Sequence, residues 1–272
     1  MSSDLFSRSV SDLISLEGRV ALVTGGAGKI GSVISSALSE LGARIVLVDI
    51  NADNLLSVKK SLEEKFNRPV LTVDFDLEKR DDFKYISNLI EEETGRLDVL
   101  VNNAAFVGTS NLSGWSVPFP QQTLNAWQRA MDVNLRAPFA LTQACLKLLH
   151  SNNSSVINIS SIYGICGPDL SLYEDTSMNN PAAYAASKGG LLQLTRWMST
   201  TLAPTIRVNA ISPGGIYRNQ PSSFVNRYIE KTPMKRMGKE EDLIGAIVYL
   251  ATDMSGWVTG QNIIVDGGWS TW

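Results

Sequence analysis

Val20-Ala21-Leu22-Val23-Thr24-Gly25-Gly26-Ala27-Gly28-Lys29-Ile30-Gly31 is an apolar run that ends in a glycine-rich turn. The run is too short for a helix and is stopped by glycine, which predicts a buried strand. From Ile30 onward apolar residues return at Val33, Ile34, Ala37, Leu38 and Leu41, the spacing of an amphipathic helix. Gly42 stands just past its end, where a helix stop belongs. Strand, glycine turn and helix together form the phosphate-binding half of a dinucleotide fold. Gly25, Gly28 and Gly31 let the backbone approach a pyrophosphate, and the first helical residues, Lys29 and Ile30, bring free N–H groups and the positive dipole end. The next strand, Arg44–Asp49, ends in a carboxylate eighteen residues after Gly31. An acid at about that distance is placed to hydrogen-bond an adenosine ribose.

The alternation continues to the C-terminus. Helices are expected over Ala52–Phe66 (capped by Asn51), Arg80–Thr94, Ala126–Leu149, Tyr184–Leu202 and near Glu241–Leu250. Strands are expected at Val70–Val73, Val99–Asn102, Val156–Ile159, Arg207–Ile211 and Ile263–Val265. Strands and helices in strict succession imply an α/β fold with a doubly wound, Rossmann-like parallel sheet between two helical layers, α/β/α. Residues 18–272 are expected to form one such domain, preceded by a lead of residues 1–17 that is either flexible or an extra helix against the first strand. Ligands of this fold bind beyond the carboxyl ends of the strands. The segments after Asn102, Ile159 and Ile211 all fall on that edge.

Tyr184-Ala185-Ala186-Ser187-Lys188 lies on one of the predicted helices, where residues four apart face the same way. A cation there lowers a phenol pKa that starts near ~10 and fits the tyrosine for proton exchange with an alcohol or ketone. Such a pair alone is common on solvated helix faces; it gains meaning from the glycine turn and Asp49.

Taken together these residues resemble the short-chain dehydrogenase/reductase family, from about Leu16 to the C-terminus. Asp76-Leu77 resembles the pair beside the adenine ring. Asn102-Asn103-Ala104-Ala105 is similar to the motif that steadies the central sheet, Asn134 to the catalytic-helix asparagine, and Ser161 to the catalytic serine. Ser212-Pro213-Gly214-Gly215-Ile216 resembles the loop that holds a nicotinamide carboxamide, and Val265-Asp266-Gly267-Gly268 the closing turn.

The resemblance implies reversible hydride transfer between nicotinamide and a secondary alcohol or ketone. Tyr184 would exchange the proton, Lys188 would lower its pKa and bind the nicotinamide ribose, Ser161 would orient the carbonyl, and Asn134 would hold a water for proton relay. Asn103, Ala104, Pro213, Gly214 and Ile216 join the cofactor-binding set. The acid at Asp49 predicts NAD over NADP, because it repels a 2′-phosphate; Lys29 in the turn pulls the other way.

Three features depart from the family pattern. Lys29 stands where the compact branch has its middle glycine, so the Gly25, Gly28, Gly31 spacing is that of the epimerase and dehydratase branch. That keeps an NAD-recycling epimerase or dehydratase as an alternative, beside a cofactor-binding regulator without chemistry. The interval from Ser161 to Tyr184 is long, and its polar, turn-rich stretch predicts a loop over the site. Arg218 occupies a place where threonine is frequent.

Substrate loops are thus expected at about 161–183 and 214–238. The second carries Arg218, Arg227, Lys231, Lys235 and Arg236, either a solvated lid or a grip on a phosphorylated or carboxylated substrate. The loops and the Asp266–Trp269 ending resemble a bacterial branch of surface-sugar and flagellin-glycan synthesis, which implies a sugar or sugar phosphate.

The chain has 272 residues, 44% hydrophobic and 19% charged, with a formal charge of −3. This balance points away from nucleic acid and membrane surfaces, and no run approaches the roughly 18 apolar residues of a membrane span. Cys145 and Cys166 form no metal or redox motif, which suits a reducing cytoplasm. No metal is expected. His150 is read as a helix-end charge partner rather than a catalyst. The six tryptophans are read as mostly core or interface, with Trp269 and Trp272 placed for a subunit contact, since the family is usually dimeric or tetrameric.

Overall fold

The computed structural model describes residues 8–107, 112–149 and 154–272. Seven parallel strands form its sheet: β1 (Val20–Thr24), β2 (Arg44–Asp49), β3 (Leu71–Asp74), β4 (Val99–Asn102), β5 (Ser154–Ile159), β6 (Ile206–Pro213) and β7 (Asn262–Val265). Their order is β3-β2-β1-β4-β5-β6-β7. The chain winds outward in one direction from β1 and in the other from β4. A crevice therefore opens between their carboxyl ends, where this topology binds ligands.

Alternation along the strands divides the core between the two faces. Leu22, Val46 and Val48 point to one side and pack with Ile86, Ile90, Leu141, Cys145 and Met198. Ala21, Val23, Ile45 and Leu47 point to the other and pack with Ile34, Leu38, Leu55, Leu62 and Ile247. The first face is covered by α4 (Lys84–Thr94), α6 (Ala137–Leu149) and α7 (Ala182–Leu202), the second by α2 (Lys29–Glu40), α3 (Ala52–Phe66) and α9 (Ile244–Ala251). This is the three-layer arrangement that the alternating pattern implies.

Several boundaries differ from the sequence-based expectation. The helix expected from Arg80 starts at Lys84, because Arg80 is drawn into an ion pair with Asp82 and over the rings of Phe75 and Tyr85. The helix expected over Ala126–Leu149 begins earlier, as α5 (Leu124–Met131) capped by the Thr123 hydroxyl. It is then interrupted: Asp132–Arg136 winds as a single π-helical turn before α6 continues.

The 214–238 segment, expected as a loop, contains α8 (Ser222–Lys231), whose Phe224 and Tyr228 are buried four residues apart. In the N-terminal lead, a capping box between Ser9 and Asp12 starts a short helix, α1 (Val10–Ile14). Leu16 is fully buried and Arg8 pairs with Asp253, so this end packs against the domain. His150 lies outside the described residues. Among those described, no helix is long and apolar enough to cross a membrane and no metal-binding cluster is found.

Candidate active site

The turn after β1 is shaped by two glycines. Gly25 has φ +62°, and a Cβ there would meet Ala104 Cα at 2.9 Å. A Cβ on Gly31 would press into the backbone of Gly25 and Gly26. Only glycine lets the helix start this close to the strand.

The turn is fixed to β4 as well. Thr24 Oγ1 accepts from Asn103 N and Ala104 N, each at 3.0 Å, and Asn103 Nδ2 donates to Thr24 O at 2.9 Å. Beneath it, Asp49 accepts from Ala27 N at 3.0 Å and Asn51 N at 3.1 Å. Its carboxylate thus holds the turn while facing the cleft. Gly28, Lys29, Ile30, Asp76 and Leu77 join these groups around a cavity of about 430 Å³.

A second cavity of about 370 Å³ lies at the ends of β5 and β6, lined by Ser161, Tyr184, Lys188, Pro213, Gly214 and Ile216 among others. Ile30, Asn103 and Arg218 border both cavities, so one cleft runs from Asp49 to Tyr184. Glycines that admit a backbone, a helix N-terminus and an acid at the far end fit an extended dinucleotide.

The four residues expected to be catalytic converge on the second cavity and its supports. Ser161 caps a short turn of helix by accepting from Tyr163 N at 3.2 Å and hydrogen-bonds the Tyr184 hydroxyl. Lys188 is 1% exposed; its Nζ donates to Ile159 O at 2.7 Å and lies 5.9 Å from the Tyr184 ring centre.

The expected lowering of the Tyr184 pKa by Lys188 is not what this geometry produces. Burial pushes the Tyr184 phenol up, opposed by the Ser161 hydrogen bond, and burial pulls Lys188 itself down to about 7. Asn134, expected to hold a relay water, has its side-chain amide committed to protein partners. It lies in the π-helical turn, fully buried, with Oδ1 accepting from Phe106 N at 2.6 Å and Nδ2 donating to Phe106 O and Ser187 Oγ. Its amide braces the strand-end wall of the cleft.

The lid cations do not converge on an anion site. Arg227 pairs with Asp175 and donates to Glu174 O, Lys231 pairs with Asp169, Arg236 with Asp242, and Lys235 donates to Glu230 O. Arg218 alone of the five borders the reaction cavity, and it pairs with Glu240. These charges fasten α8 and its flanks to the 161–183 loop and to neighbouring backbone.

Trp269 is largely buried within this chain, where it stacks on Tyr228 with 6.0 Å between ring centres. Trp115 is buried too, whereas Trp127, Trp197, Trp257 and Trp272 are exposed, so most tryptophans lie outside this chain's own core.

Sequence reading missed Asn158, which accepts from Asn102 Nδ2 and donates to Thr195, linking β4, β5 and α7. It also missed Tyr163 and Tyr173, whose hydroxyls meet at 2.6 Å on the cavity wall. Their place among turn residues carried no periodic signal.

A family model described as enoyl-(acyl carrier protein) reductase matches residues 25–270. The chain belongs to the short-chain dehydrogenase/reductase family. It is 34% identical to the 3-oxoacyl-[acyl-carrier-protein] reductase FabG of Thermotoga maritima, over 93% of this chain and 98% of that protein. It is 29% identical to post-translational flagellin modification protein A of Campylobacter coli, over 93% and 99% of the respective chains. The fold superposes on a gluconate 5-dehydrogenase from Burkholderia cenocepacia, solved with NADP and tartrate, with TM-score 0.85 and 27% identity over 97% and 100% of the chains. As a short-chain dehydrogenase/reductase it is an NAD(P)-dependent oxidoreductase acting on CH–OH and C=O groups.

Proposed function

We propose that this oxidoreductase works with NAD(H) on a ketone or secondary alcohol of a neutral, hydroxyl-rich, sugar-like skeleton. The observation that carries the reaction is the meeting of Ser161, Tyr184 and Lys188 at the end of a cleft that begins at Asp49. Gly25, Gly28, Lys29, Ile30, Gly31, Asp49, Asp76, Leu77, Asn103 and Ala104 would hold the adenosine and pyrophosphate half. Tyr184, Lys188, Pro213, Gly214 and Ile216 would hold the nicotinamide half. When bound, the cofactor supplies or accepts the hydride.

Tyr184 then carries the proton. Because burial raises its pKa, the phenol is protonated at neutral pH and ready to donate to an alkoxide forming at the carbonyl oxygen. Ser161 shares that oxygen with Tyr184 and stabilises its charge in the transition state. Lys188, held by Ile159 O, places a titratable amine behind the phenol. Asn134 acts through Phe106, positioning a wall of the cofactor end of the cleft.

Two observations support the finer choices. Asp49 presents a carboxylate where a 2′-phosphate would sit, which favours NAD. The reaction cavity is walled by Tyr163, Tyr173, Phe224 and Tyr228, with Lys188 and Arg218 its only cations among the described residues; this suits neutral rings more than phosphates. Resemblance to the gluconate 5-dehydrogenase supports the hydroxyl-rich skeleton.

Free Cys145 and Cys166 accord with a reducing cytoplasm. Exposed Trp197, Trp257 and Phe139 support assembly into a dimer or tetramer, which mass photometry tests.

Paired fluorescence titrations with NADH and NADPH test the cofactor assignment, and tighter NADPH binding would overturn it. A screen of keto-sugars, followed by Tyr184→Phe, tests the chemistry. The variant is expected to bind NADH yet lose turnover, and turnover at the wild-type rate would remove Tyr184 from its role.

A further inference from the structure

A third cavity, of about 790 Å³, opens between residues 116–122 and the long 168–182 stretch. Tyr173 and Met178 line both this cavity and the reaction cavity, so a wall one side chain thick divides the two. The stretch that builds it is the part of the Ser161–Tyr184 interval that lengthens this chain.

The lining has a consistent chemistry. Phe119 and Leu170 are 78% and 59% exposed and form an apolar surface at the mouth. Behind them, Asn180 and Gln122 bring neutral amides, that of Gln122 accepting from Ala182 N and donating to Val117 O. Glu174 is the one charged residue of the lining among the described residues, and no lysine or arginine is present there. A phosphate or carboxylate would find no counter-charge. A neutral ring would find an aromatic face below its C–H groups and amides for its hydroxyls.

Asn180 shows that the lining is incomplete by itself. It is 8% exposed, its amide hydrogen-bonds the Tyr173 hydroxyl, and its Oδ1 has no partner. Rotating the amide by half a turn would only exchange which end is left over. Buried polar atoms are nearly always paired; this oxygen is closed off as it stands, so a donor in the cavity completes it by drawing the amide toward the cavity. Tyr173 continues the chain of hydrogen bonds to Tyr163, across the dividing wall.

We propose that this cavity is a distal subsite for a neutral, hydroxyl-rich sugar unit joined to the ketone-bearing part of the substrate, with Tyr173 and Met178 as the divider. The link to catalysis rests on the oxidoreductase assignment above, whereas the binding itself needs no turnover.

Saturation-transfer NMR titrations of the full chain with a panel of methyl hexosides and N-acetylhexosaminides, and with glucose 1-phosphate, test it. At least one neutral sugar is expected to bind more tightly than the phosphate, and Phe119→Ala and Asn180→Ala are each expected to weaken it about tenfold. Phe119 is exposed, so its variant remains informative if Asn180→Ala fails to fold; NADH affinity and thermal midpoint report folding in both. Absence of binding by every neutral sugar, tighter binding of the phosphate, or affinity unchanged in the folded Phe119→Ala variant would each overturn the subsite. Sugar binding lost on Phe119→Ala in a protein that reduces no ketone would support the subsite and count against the oxidoreductase chemistry alone.

Discussion

Replacing Lys188 with methionine should make the protein more stable and catalytically dead. The lysine is 1% exposed, and burial alone pulls its pKa from 10.5 to about 7. Between those values the unfolded chain holds a proton that the folded chain lacks, so stability rises with pH across that window. The penalty is complete below about pH 7 and gone above about pH 10.5. A displacement of three to four pH units, at about 1.36 kcal/mol each, puts it on the order of 5 kcal/mol.

Methionine fills a similar volume without the amine, but it leaves Ile159 O without its donor, a loss of about 1–3 kcal/mol. The net gain of about 2–4 kcal/mol corresponds to a melting midpoint roughly 5–15 °C higher at pH 7. Scanning fluorimetry of both proteins from pH 6 to pH 10 reads it as the difference between them, so that other titrating groups cancel. The advantage of the variant should shrink as pH rises towards 10. A variant that melts below the wild type at pH 7, or a difference that stays constant across the range, would refute the assignment of a neutralised buried amine.

Gly31→Ala places a Cβ within 2.9 Å of the backbone of Gly25 and Gly26, and isothermal titration should find NADH bound about tenfold or more weakly. Gly28→Ala meets only Gly25 O, at 3.2 Å, a contact that a shift of a few tenths of an ångström relieves, so its melting midpoint should fall less than that of Gly31→Ala. Asn158→Ala removes the joint between Asn102 and Thr195 in a fully buried setting, and urea denaturation should show a loss of about 2–4 kcal/mol. Arg227→Gln combined with Lys231→Gln unfastens α8 from Asp175 and Asp169. These pairs are partly exposed, so global stability should fall by less than about 1 kcal/mol, while limited proteolysis cuts the 166–180 stretch several times faster; an unchanged cutting rate would show that the pairs do not hold the loop.

The first half of the sheet was legible because its signals are local. Strand, glycine turn and helix occupy adjacent residues, and the acid that completes the ribose site ends the next strand. The lid was not legible in the same way. Five cations between Arg218 and Arg236 resemble an anion grip because Asp169 and Asp175 lie some fifty residues or more away in sequence, and a charge run says nothing about partners so distant. In α8 a helical signal was present, Phe224 with Tyr228 and Val225 with Ile229, but it lay among polar and basic residues that suggested a loop. Asn134 could be found by its motif, yet its work depends on the backbone of Phe106, which no pattern in the sequence associates with it. The electrostatics of Tyr184 depended on burial. A helical spacing shows which side chains share a face, but not how much water reaches them.

The π-helical turn at Asp132–Arg136 inserts one residue more than an α-helix accommodates. Each residue of an α-helix turns the chain by about 100°. Deleting a single residue there would restore regular winding and leave the flanking helices facing as they do, because the widened turn already absorbs the surplus. A residue deleted from the regular winding of α6 would instead rotate Leu141, Cys145 and Leu148, now on the sheet, away from it. The surplus residue is thus confined to one wide turn, which carries Asn134 to Phe106 and Ser187 while the helix on either side keeps its own register.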